Sequence, residues 1–224
     1  MKADSFFKRY GDFLSIATLF ILSLFFWSSF LLYPIRLWVV MLHELSHGIG
    51  ALLTGGSIVR IAIAPDESGV CYTMGGWPGV IIPAGYLGSM LWGSAILLIS
   101  SRTRYDRHLS GALGVLWIFV TALWVRNIFG IVLGLSTAII FGVLSRWGNS
   151  RINDGVLRFI GLASIFYAII DIKDDLIVRT VPGSDAWAMS QQFFLPPVFW
   201  GVFWVVIAIL IGYKVIQISL KSTE

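Results

Sequence analysis

Long runs without charge decide what this chain can become. Phe13 to Tyr33 contains no charged residue, and neither does Ile82 to Ser100. About 20 apolar residues in a helix cross the hydrocarbon core of a bilayer, so each run has the length of one span. A water-soluble globule is excluded by the balance of residues. Of 224 residues, 57% are hydrophobic and 12% charged, whereas a soluble domain is about 25% charged. The same balance excludes a disordered chain or a coiled coil. The net charge of +4 is spread over short loops, which suits membrane orientation and not a phosphate-binding face, so nucleic acid is not an expected partner. The single cysteine, Cys71, cannot form an intrachain disulfide, and the fold does not depend on an oxidising compartment.

The expected fold class is an all-α polytopic membrane protein with six to seven transmembrane helices and a short β-hairpin, in a single domain over residues 1–224. Lys8 and Arg9 precede the first run as in a signal peptide. The apolar stretch is too long for a cleaved segment and ends at Tyr33-Pro34 with no small-residue cleavage site, so a retained helix is expected. Ile35 to Thr54 is the second helix and Ile82 to Ser100 the third. Gly111 to Trp147 would extend roughly 55 Å as one helix at 1.5 Å per residue, and Arg126-Asn127 interrupts its middle, so two helices are expected there. Gly155 to Ile172 and Pro197 to Ile216 complete the set. Between the second and third helices, Val59, Ile61 and Ile63 alternate with Ile58, Arg60 and Ala62, which is strand periodicity. Pro65-Asp66-Glu67-Ser68-Gly69 supplies a turn, and Val70 to Thr73 can return as a second strand. Lys and Arg divide almost evenly between the two sides of this arrangement, so the positive-inside rule does not orient it.

The chemistry lies on the second helix. His43-Glu44-Leu45-Ser46-His47 reads H-E-x-x-H. Residues four apart share a helix face, so both imidazoles can reach one metal ion, and Glu44 is placed to take a proton from a metal-bound water. With three His and three Glu in the chain, chance produces this pattern roughly once in 2,000 such sequences. Each ionisable residue in a membrane helix costs roughly 2.5–3.5 kcal/mol on insertion scales, and a divalent metal supplies the compensation. Two imidazoles, one carboxylate and an open position describe catalytic zinc, and Zn2+ is the expected cofactor.

Asp171 is the candidate third ligand, because it ends the uncharged run Phe159 to Ile170 on a late helix. Asp174 and Asp175, about one turn further on, are the alternatives on the same face; Asp154 lies among Arg151, Asn153 and Arg158 and reads as a solvated loop. Cys71 is unaccompanied and reads as no ligand, and His108 sits in a basic loop. Asn127 is a tentative substrate-binding or oxyanion-stabilising residue, with hydrogen bonding to a neighbouring element as its plainer reading. Gly48, Gly50, Gly55 and Gly56 read as packing or turn positions.

His43-Glu44-Leu45-Ser46-His47-Gly48 in an apolar helix, followed by Thr54-Gly55-Gly56 and a strand pair, resembles the intramembrane zinc metalloproteases of the site-2 protease class. The M50B-like branch is the closer resemblance, through Pro65-Asp66-Glu67-Ser68-Gly69, Gly75-Gly76, Pro83-Ala84-Gly85-Tyr86-Leu87-Gly88-Ser89, Tyr167 to Asp175 and Ser184-Asp185-Ala186. The resemblance implies zinc-dependent hydrolysis of peptide bonds in membrane-embedded substrates, with His43 and His47 as ligands and Glu44 as general base. It also implies a multi-pass protein of a bacterial cytoplasmic membrane whose partners are a transmembrane protein or peptide substrate and the bilayer. Site-2 proteases usually take the third ligand from an Asp-Gly pair on a later helix, and here the only such pair is Asp154-Gly155. No stretch is long and polar enough for their usual PDZ domain. Two competing readings are an inactive membrane scaffold or assembly factor of the same fold and a metal transporter. The scaffold should have lost Glu44 or a ligand, and the transporter should spread its ligands over several helices.

Overall fold

The computed structural model describes Thr18, Ile21, residues 25–173 and residues 183–220. About half of the expected first helix, Phe13 to Tyr33, lies outside the described residues, and at its end Phe30–Leu32 forms a single 3-10 turn. Among those described, the elements run α1 (Tyr33–Leu53), β1 (Ser57–Ile63), β2 (Gly69–Met74), α2 (Pro78–Arg102) and α3 (Asp106–Trp124). They continue with α4 (Ile128–Trp147), α5 (Ser150–Lys173), α6 (Asp185–Phe193) and α7 (Pro197–Leu220). Five of these, α2, α3, α4, α5 and α7, are long and apolar enough to cross a membrane. The protein is a polytopic helical membrane protein with one small antiparallel hairpin.

Element boundaries shift for local reasons. Tyr33 and Pro34 open α1 instead of closing the preceding run, because proline is at home in the first helical turn. Pro78 does the same for α2, which therefore starts before Ile82. α5 starts at Ser150, so Asp154-Gly155 is helical and not a loop as expected. There Asp154 pairs with Arg158 one turn on, at 2.6 Å. α6 has no counterpart among the expected helices.

The break between α3 and α4 falls at Val125 to Asn127, as the sequence implies, and β1 explains how it is held. Arg126 N–H donates to the Ile61 carbonyl at 3.1 Å, and Val125 forms a parallel bridge with Ile61. The Asn127 side chain donates to the Ile63 carbonyl at 2.6 Å and accepts from Ile63 N–H at 3.2 Å. Backbone groups released by the missing helical turn are thus satisfied by a strand edge. On its other side β1 pairs with β2 from Ser57↔Met74 to Ile63↔Gly69, with a register irregularity between Ile58 and Arg60. The outer edge of β2 pairs with no strand among the described residues.

α1 occupies the interior. Val39 and Leu42 are fully buried, and Trp38 packs against Trp117 and Phe141 with ring centroids 5.6 and 5.1 Å apart. A helix buried on most of its circumference is apolar all round, apart from the few polar groups it is built to display. By contrast, α3 and α4 pack chiefly on one another, leaving Val115, Ile128 and Ile139 exposed. Such an outer face suits lipid and not water.

Candidate metal centre

The H-E-x-x-H turn lies in mid-α1, where the backbone is regular. His43 and His47, one turn apart, bring their rings to a centroid distance of 4.7 Å. His47 is fixed from behind. Its Nδ1 lies 2.8 Å from the Ile81 carbonyl on α2, and a carbonyl can only accept, so Nδ1 carries a proton and Nε2 is the nitrogen left to bind a metal. His43 is held edge-on by Tyr86, whose ring centroid is 5.0 Å away.

The carboxylate facing both imidazoles belongs to Asp185. Its Oδ2 lies 3.1 Å from His43 Nε2 and 3.3 Å from His47 Nε2. Asp185 is the first residue of α6, and Ser184 caps that helix by accepting from Trp187 N–H. Ala186 and Met189 anchor α6 in an apolar cluster with Tyr86, Ile172 and Trp204. That packing brings a residue far along the chain to the face of α1. Asp185 Oδ2 is buried and accepts no well-formed hydrogen bond.

These three groups suit a metal. Tetrahedral zinc ligands at about 2.0–2.1 Å stand about 3.3–3.4 Å from one another, close to the two separations found here. Gly85 of α2 leaves the space: a Cβ there would stand 2.5 Å from His47 Nε2 and closer still to His43 Nε2. Two imidazoles and one carboxylate leave a fourth position open, which is the catalytic and not the structural arrangement.

Glu44 is buried beside them. The backbone of Cys71 lies beside its carboxylate. Gly69, at the start of β2, lies so close that a Cβ would meet Glu44 Oε1 at 2.6 Å. His43, Glu44, His47 and Asp185 open onto one cavity of about 520 Å³, which β2 borders through Gly69, Val70 and Cys71.

The geometry departs from the sequence expectation at the third ligand. Asp171 lines the same cavity, but its Oδ2 is 4.0 Å from Nδ1 of His43, the nitrogen turned away from Asp185. Helix depth selected it, whereas the packing of a short helix places Asp185 at the Nε2 atoms. Asp154 is engaged with Arg158, and Asp174 and Asp175 lie outside the described residues. Asn127 is spent on Ile63 and is not among the residues lining the cavity. His108 packs edge-on against Tyr105. Cys71 borders the cavity without joining the three converging groups.

The model of the peptidase M50B-like family matches residues 16–215. The chain belongs to that family. No curated protein and no solved structure matches it. For an M50B-like peptidase, the signal that could have pointed to Asp185 is Ser184-Asp185-Ala186, a helix start of the Ser-capped kind in the part of the chain that resembles this branch. Its distance in sequence from His47 hides it from any reading of local spacing.

Proposed function

We propose that this protein is a zinc-dependent intramembrane endopeptidase that cleaves membrane-embedded protein substrates. The observation that carries the reading is the convergence of His43, His47 and Asp185 beside Glu44, in a cavity bordered by β2, whose outer edge pairs with no strand among the described residues. His43, His47 and Asp185 would hold the zinc. When bound there, zinc lowers the pKa of a coordinated water to about 7 and polarises a carbonyl.

The remaining steps belong to the chain. Glu44 takes the proton from the attacking water as its oxygen adds to the scissile carbonyl carbon, and returns it to the departing amine nitrogen as the C–N bond breaks. The close approach of Gly69 to the Glu44 carboxylate confines it for this. Asp171, 4.0 Å from Nδ1 of His43, lies beyond hydrogen-bond distance and places negative charge on that side of the ring, where carboxylates behind metal-bound histidines act. A helical substrate hides its carbonyls in its own hydrogen bonds, so it must be extended to react. The outer edge of β2 supports this by offering backbone partners for an added strand.

The transporter reading is disfavoured because the candidate ligands meet at one point instead of marking a path. The inactive-scaffold reading is disfavoured because Glu44 and three candidate ligands are all in place. The test is metal content and cleavage measured together. Wild type should carry about one zinc per chain, and Glu44→Gln should keep the zinc while losing at least about 10²-fold in cleavage of a membrane substrate. Full metal retention by a His43→Ala/His47→Ala variant, or undiminished cleavage by Glu44→Gln, would overturn the proposal.

A further inference from the structure

Arg36 opens the second turn of α1 and is buried. Its Nε and Nη2 make a bidentate pair with Glu67, both at 2.7 Å. Its Nη1 donates to the carbonyls of Trp27 and Ser29, the latter at 3.1 Å. Glu67 belongs to the turn joining β1 to β2 and has φ of 67°, a left-handed conformation that a residue with a Cβ adopts at a cost. Such conformations persist where surrounding contacts over-determine them. A second contact from the same end of α1 reinforces the first: Tyr33 Oη donates to the Pro65 carbonyl at 2.6 Å. Two residues beyond Glu67 the chain reaches Gly69, the residue pressed against Glu44.

A second cavity, of about 450 Å³, lies around this pair and includes Arg36, Asp66 and Glu67 in its lining. It shares Glu67, Ser68, Tyr167 and Asp171 with the cavity of the candidate metal centre. The ion pair therefore stands where the two meet. A buried ion pair adds little to stability compared with apolar residues of similar size. What a bidentate Arg–carboxylate pair provides is a fixed geometry.

We propose that Arg36 is a positioning residue: through Glu67 it seats the hairpin turn so that the free edge of β2 lies over Glu44, and binding of an extended substrate depends on that grip. This rests on the peptidase reading above. Arg36 touches neither substrate nor metal in this role. It acts through the strand, so its loss weakens what lies along β2 and spares what touches the metal alone.

Two hydroxamates separate these effects when bound to the purified, zinc-loaded, full-length protein. Acetohydroxamate reaches only the metal, whereas a peptidyl hydroxamate with apolar residues must also lie along β2. The variants are Arg36→Lys, which keeps charge but loses the fork, and Arg36→Met/Glu67→Met, which replaces the pair by apolar side chains and guards against a misfolded single variant. Both should weaken the peptidyl hydroxamate by at least about tenfold, keep acetohydroxamate within about twofold, and retain full zinc. Unchanged peptidyl affinity in the zinc-retaining double variant overturns the role of Arg36. Failure of the wild-type protein to bind either hydroxamate overturns the peptidase reading itself, which is a different result.

Discussion

The Ile81 carbonyl accepts from the Nδ1–H of His47, so Nε2, 3.3 Å from Asp185 Oδ2, faces that carboxylate across a cation, a proton or a metal. This gives the two aspartates of the cavity different weights. On the proposed reading, Asp185→Asn should lower zinc affinity by well over 100-fold, because it removes a ligand, while Asp171→Asn should lower it by no more than about 10–100-fold, the range for a group behind a ligand. Zinc competition with a chromogenic chelator measures both, and equal losses would remove the distinction. Cys71 offers a separate check on how the hairpin covers the site. Burial, and then the charge of Glu44, push its thiol up to about 12, so it stays protonated at neutral pH and is a poor nucleophile. Maleimide labelling at pH 7 should be slow in the folded protein and fast after denaturation in detergent.

Among the elements, those with their own periodicity or punctuation were legible in the sequence. Alternating Val59, Ile61 and Ile63 gave β1, Pro65 to Gly69 gave the turn, and Arg126-Asn127 gave the break between α3 and α4. The helix bearing His43, Glu44 and His47 could be read from composition and spacing. α6 could not be. It has nine residues, too few to span a membrane or to be stable alone, and its place depends on Ala186 and Met189 packing with Tyr86, Ile172 and Trp204. Asp185 was illegible for the same reason, since its partnership with α1 exists only after that packing. Asn127 carried two readings, a substrate contact and a hydrogen bond to a neighbouring element; it makes the second, but to a strand edge too distant in sequence to be named from spacing. Asn127→Ala should leave the Ile63 N–H and carbonyl without partners, at about 1–3 kcal/mol for groups shielded from water. Amide exchange at Ile63 should then rise, with zinc content unchanged. If exchange at Ile63 does not change, the β1 edge is held by Arg126 and Val125 alone.

At the scale of the molecule, the polar chemistry is packed inward around α1 while α3 and α4 turn apolar faces outward. Ile139 lies near the middle of α4 and is 65% exposed, whereas Trp147 ends the helix and is 75% exposed. Arginine at position 139 should cost about 2.5–3.5 kcal/mol on an insertion scale, whereas arginine at position 147 can reach the interface and cost little. Membrane integration of Ile139→Arg should therefore fall well below that of Trp147→Arg in a glycosylation-mapping assay, and equal yields would mean that α4 does not face lipid. The one-sided closure of the hairpin has a further consequence. Sheets propagate into fibres when both edges of each unit remain available. Here Val125 to Asn127 cover β1 at Ile61 to Ile63, so at that end the hairpin can take an added strand only on the β2 side. Copies of this hairpin therefore cannot stack edge to edge into a continuous sheet, which needs both edges of every unit.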